Sequence, residues 1–266
     1  MFSRRLRSLI FFHVAKTGGT SATARLRPLF ANSATSNGNL SAACLASYPG
    51  AGDTLFHGHP EHGIAWAVPR GVVTATLLRA PDEQAVSNYL HLLRNPQLPL
   101  HGMAVRLGFS SLMAAHWPLL AFQAISLDVA LSTTHCDTPA DFLGRMPDIR
   151  RFLDRIDVVG CLDQLNTVLH DAAQRTGHPV PPLAPRLNTA AEFGTEWREV
   201  ERLRAEYHAL AVDPVLRQVM EAEAMLVARA RARCVRRLKS WLPPVRESIQ
   251  NRGVITMRLP LPSAHR

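Results

Sequence analysis

The sequence predicts an α/β fold, a parallel β-sheet flanked by helices, with a helical C-terminal part. Three observations carry this. An apolar strand beginning at Leu9 runs straight into a glycine turn and then a helix. A β-branched run, Val72 to Leu78, ends in Arg79 and is followed at once by a helix start. A third run, Val158 to Gly160, again feeds a helix. Strand, turn and helix repeated in this order build parallel sheets covered by helices. At 266 residues and 47% hydrophobic content the chain can bury a full core. Residues 1–240 are expected to form one domain. Residues 241–266, which hold prolines and charges without periodicity, are expected to be a disordered basic tail.

The first element is the stretch Leu9 to Ser21, LIFFHVAKTGGTS. Two glycines, Gly18 and Gly19, let the backbone turn tightly and bring its N–H groups against anionic oxygens. Thr17, Thr20 and Ser21 supply hydroxyls at the start of the following helix, and Lys16 adds a full positive charge. The expected ligand is a phosphorylated molecule in a P-loop-like pocket. In the common nucleotide triphosphate loop the lysine follows the last glycine and precedes a magnesium-binding hydroxyl. Here the lysine precedes both glycines, and the best later strand ends in Arg79 rather than in an acid. A nucleotide triphosphatase is therefore disfavoured.

The second element is Asp53 to Gly63, DTLFHGHPEHG. A short strand, Thr54 to His57, places His57 and His59 on one side of the extended chain, because side chains alternate with a period of two. Glu61 can follow on that side. These residues read as metal ligands, as acid–base groups or as ordinary loop residues. A metal site needs at least three ligands and a second shell. His57, His59 and His62 have no convincing partner among the four scattered cysteines, so no metal is expected.

The third element is Val72 to Leu78, followed by Arg79, Ala80, Pro81, Asp82 and Glu83. Proline suits the first helical position, and the two acids suit the positive end of the helix. Ala85, Val86, Tyr89, Leu90 and Leu93 then recur at helical spacing, with Ser87 beside the stripe. A guanidinium at the strand end can fork onto a phosphate, and a serine hydroxyl can add a further bond. Taken alone, Arg79 reads as a strand cap paired with Asp82 or Glu83; its place downstream of a phosphate loop turns the reading toward a phosphate ligand.

Leu100 to Asp141 is irregular and apolar and is expected to form helices on the acceptor side. His116, Gln123 and Asp128 interrupt it, so it is not a membrane span. Two helices, about Glu196 to Val212 and Pro214 to Trp241, close the fold, the second opened by an Asp213 cap and Pro214 in its first turn. The apolar N-terminal run is too short for a signal peptide and flows into the glycine loop.

In this order the motifs resemble the PAPS-dependent sulfotransferases, in particular the carbohydrate branch that includes the heparan sulfate O-sulfotransferases. In that family the loop matching Lys16 to Ser21 cradles the 5'-phosphosulfate of 3'-phosphoadenosine 5'-phosphosulfate (PAPS), with no metal required. The arginine and serine matching Arg79 and Ser87 bind the 3'-phosphate. The segment Phe56-His57-Gly58-His59 is similar to the base-bearing segment of the uronyl 2-O-sulfotransferases. On that resemblance His59 is the first choice for the base, His57 the second, and Glu61 is held in reserve. Lys16 would stabilise charge developing on the bridging oxygen. Val158 to Gly160 resembles the family's late strand, although Asp163 stands where a glutamate is frequent. Arg186-Leu187-Asn188-Thr189 is similar to a loop that closes over the nucleotide, so Arg186 or Asn188 would touch the cofactor.

The acceptor implied is a hydroxyl on a carbohydrate or glycolipid. A small-molecule kinase with a variant phosphate loop, or a non-catalytic nucleotide- or glycan-binding protein, are the alternatives. The net charge of +9, with a dense arginine run from Arg229 to Arg237, suggests peripheral contact with an anionic membrane through the C-terminus. No motif supports nucleic-acid binding. Four unpaired-looking cysteines, Cys44, Cys136, Cys161 and Cys234, and no recognisable anchor point to the cytoplasm.

Overall fold

A computed structural model describes residues 6–46, 52–181 and 196–241. The first strand, β1 (Leu9–Phe12), is buried along its whole length and sits at the middle of a six-stranded, wholly parallel sheet. On one side it pairs with β4 (Thr54–Pro60), which pairs in turn with β2 (Asn32–Ala34) and, at its far end, with β3 (Asn39–Leu40). On the other side lie β5 (Val73–Leu78) and then β6 (Val158–Cys161). β-Branched and aromatic residues hold these buried strands without polar alternation, as expected for a sheet covered on both faces.

Successive side chains sort into two cores. Leu9, Phe11, Leu55, Val73, Ala75 and Leu77 face α1 (Gly19–Leu26) and α7 (Leu165–Thr176). Ile10, Phe12, Phe56, Leu78 and Val159 face the opposite layer. That layer holds α3 (Pro81–Arg94), α4 (His101–Ala115), α5 (Phe122–Leu131), α6 (Pro139–Arg155), α8 (Trp197–Ala209) and α9 (Pro214–Trp241). A one-turn helix, α2 (Ala42–Ala46), follows β3. No helix among the described residues is long and apolar enough to cross a membrane.

One expectation changes, and the arginine run acquires partners. β4 does not close at His57 but runs on through His59 to Pro60, because β3 pairs with it there (Asn39 with His59, Leu40 with Pro60). The arginine run on α9 is largely engaged within the fold. Arg229 binds Asp154, Arg231 binds Asp163, Arg237 binds Asp171, and Arg233 donates to the carbonyls of Leu153 and Ile156. These contacts fasten α9 to α6, α7 and the turn after β6, while residues 242–266, the rest of the basic C-terminus, lie outside the described residues.

Candidate phosphate and acceptor site

The carboxyl ends of β1, β4 and β5 bring three of the predicted segments to one edge of the sheet, the edge at which parallel α/β sheets bind ligands. After Phe12 the chain turns at Val14, whose carbonyl accepts the buried Thr17 hydroxyl at 2.8 Å. That hydroxyl therefore braces the loop from inside instead of pointing at a ligand. Lys16 holds a left-handed conformation (φ 64°), and Gly18 (φ 92°) stands as the cap of α1. A non-glycine residue in this region costs roughly 1–2 kcal/mol, strain of the kind found at functional loops. No side chain caps α1 and no acid lies in its first turn, where Thr20 is exposed and Ser21 buried. The first-turn N–H groups and the positive end of the helix dipole are arranged to receive an anion.

Gly18 is required by its left-handed backbone and Gly19 by the packing around it. A Cβ on Gly18 would lie 2.3 Å from Leu162 Cδ1, and one on Gly19 would lie 1.8 Å from the His13 ring.

Cations collect above the loop. Arg79, just past the end of β5, reaches the Lys16 carbonyl through Nη1 at 3.4 Å and pairs with Glu83 through Nε at 3.0 Å. The bland reading of Arg79 as a partner of Glu83 is thus partly realised, while one edge of the guanidinium still faces the loop. Burial lowers the Lys16 ammonium, and Arg79 and then Arg94 lower it further. His91 is lowered by burial and by the same Lys16 and Arg94 charges. Glu83, Ser87, His91 and Arg94 follow at spacings of four, four and three residues, so they share one side of α3. Ser87 is half-buried there. Cations that lower Lys16 and His91 in this way describe a pocket that a bound anion would relieve.

The histidines lie one strand over. His57 and His59 share a face of β4, as alternation requires. His57 Nε2 lies 3.1 Å from the Ser33 hydroxyl, and burial with the nearby Arg27 lowers its pKa. His57 also walls an open cleft of about 590 Å³ lined by Arg27, Ser33, Asn37, Ser41 and Cys44.

His59 is exposed, and its Nδ1 lies 2.8 Å from the His13 carbonyl. A carbonyl only accepts, so Nδ1 carries the proton and Nε2 of the neutral ring keeps its lone pair. The His13 ring stacks on His59 at 4.6 Å with 26° between planes. Burial, reinforced by His59, His57 and Lys16, brings the His13 pKa down to about 4, so that ring is neutral at pH 7.

Glu61 lies beside Cys44, whose thiol burial and the Glu61 charge push up. His62 bonds the Ser132 carbonyl at 3.0 Å and meets the His135 ring. Among the described residues no three His, Cys, Asp or Glu side chains are grouped to hold a metal ion. Arg186 and Asn188 fall outside the described residues. Sequence reasoning missed His13, His91 and Arg94. The last two could have been found by continuing the helical spacing one and two turns beyond Ser87. Neither a protein-family model nor a curated protein matches this chain.

Proposed function

We propose that this protein is a cytoplasmic, PAPS-dependent sulfotransferase that transfers a sulfuryl group to a hydroxyl of a carbohydrate or glycolipid. The observation that carries the reading is the pairing, at one sheet edge, of an uncapped glycine loop under Lys16 and Arg79 with an exposed His59 whose Nδ1 is committed to a carbonyl. The donor fits these residues. Lys16 stands at the uncapped start of α1 with Arg79 reaching its carbonyl, and the Arg79 and Arg94 charges disfavour the Lys16 ammonium, which an anion would relieve.

When bound, PAPS supplies an activated sulfuryl group and leaves as the 3',5'-bisphosphate. Lys16 and the first turn of α1 hold the 5' side, with Arg79 and Ser87 on the 3'-phosphate. The desolvated Lys16 ammonium stabilises negative charge where the bond to the nucleotide breaks. His59 Nε2 takes the proton of the acceptor hydroxyl as its oxygen attacks. His13, held neutral, gives the resulting imidazolium an aromatic face rather than a second charge.

The test is transfer of labelled sulfate from PAPS to a panel of carbohydrates and glycolipids, followed by His59→Asn on the best acceptor. Turnover is expected to fall by about 10²–10⁴ with affinity for 3'-phosphoadenosine 5'-phosphate kept. Unchanged turnover in that variant would remove His59 from the chemistry.

A further inference from the structure

Arg79 lies in a junction where neither the sheet ladder, which ends at Leu78, nor α3, which begins at Pro81, supplies backbone partners. Its backbone is instead bracketed by one side chain. Gln123, wholly buried, accepts the Arg79 N–H on Oε1 at 2.7 Å and donates from Nε2 to the Arg79 carbonyl at 3.0 Å. Only one orientation of the amide satisfies both bonds.

Gln123 is the second residue of α5, and the start of that helix is fixed from far away. The N-cap residue, Ala121, has no side chain able to cap. The N–H groups of Gln123 and Ala124 instead donate to the two carboxylate oxygens of Glu223 on α9, at 3.1 and 3.0 Å. Glu223 is completely buried, and desolvation raises its carboxyl to about 7. A serine at position 121 would cap α5 without burying a carboxyl group. The carboxylate therefore does more than close a helix end. It sets where α5 begins, and with it the amide that clasps Arg79.

We propose that Gln123, and Glu223 acting through it, are positioning residues that aim the Arg79 guanidinium at the 3'-phosphate of the nucleotide. The inference rests on the sulfotransferase reading. It makes the C-terminal helix part of the selectivity for a 3'-phosphorylated ligand, although no residue of α9 is placed at the loop.

Calorimetric titration with 3'-phosphoadenosine 5'-phosphate and, separately, with adenosine 5'-phosphate reads the 3'-phosphate contribution as a ratio of affinities. In Gln123→Ala this ratio is expected to fall about tenfold, the adenosine 5'-phosphate affinity changing less than about twofold. The isosteric Glu223→Gln variant, which loses one of the two acceptors, is expected to lower the ratio about threefold. It decides alone if Gln123→Ala does not fold. Equal losses for both ligands would show a purely structural role, and an unchanged ratio would show that Arg79 needs no bracket. Either overturns the proposal. A wild-type protein that does not distinguish the two ligands would instead overturn the sulfotransferase reading itself.

Discussion

Gly19→Ala sets helix propensity against the packing of His13. The backbone at Gly19 is helical, and alanine is a better helix former by up to about 1 kcal/mol. On propensity alone the variant would be stabilised. The new Cβ, however, would sit 1.8 Å from His13 Cδ2 and 2.1 Å from Nε2, where ordinary contact begins at 3.4 Å. The ring cannot yield cheaply, since it stacks on His59 and the His13 backbone N–H is tied to the Gly58 carbonyl. Overpacking of this kind costs typically 1–3 kcal/mol, so the steric term wins and a net loss of about 1–2 kcal/mol is expected. For a chain of this size that is a fall of roughly 2–8 °C in melting temperature, measured by scanning calorimetry. His13→Ala in the same background should remove most of the penalty, leaving a coupling between positions 13 and 19 of about 1 kcal/mol or more. A Gly19→Ala protein that melts at or above the wild type would refute the placement of the His13 ring.

Two pH dependences of opposite sign follow from buried groups. The folded state holds the Glu223 proton up to about pH 7, against an ordinary value of 4.5. Stability should therefore fall as pH rises through that window, by about 3 kcal/mol between pH 4 and 8 relative to Glu223→Gln in urea titrations. A flat difference would show that Glu223 does not titrate there. His13 behaves in reverse. Its folded value of about 4 lies below the ordinary 6.5, so the unfolded chain takes the proton first and stability falls as pH drops from 6.5 to 4. Relative to His13→Gln the loss should be about 2–3 kcal/mol. A wild-type chain that holds its full advantage over that variant at pH 4 would contradict the burial of the ring.

The strands β1, β5 and β6 were legible as apolar runs that feed a turn and a helix, and α9 from its Asp213-Pro214 start. β2 and β3 were not. Asn32-Ser33-Ala34 and Asn39-Leu40 are short and largely polar, and they are strands only because β4 offers them partners. The same pairing extends β4 past His57, which local signals around Gly58 and Pro60 argued against. Within the site, Lys16 and Arg79 were legible from their place at strand ends. The third position of the histidine group was hidden because His13 looks like part of the glycine motif, and its role depends on a strand forty-odd residues later. The Glu223–Gln123–Arg79 ladder joins residues separated by 144 positions, 223 less 79, and no local pattern encodes it.

Calorimetric titration with 3'-phosphoadenosine 5'-phosphate, with and without magnesium, beside ATP, tests the pocket most directly. Tight binding indifferent to magnesium and lost in both Arg79→Ala and Lys16→Ala is expected. Preference for ATP with magnesium would contradict the sulfotransferase reading and make the chain a phosphoryl transferase.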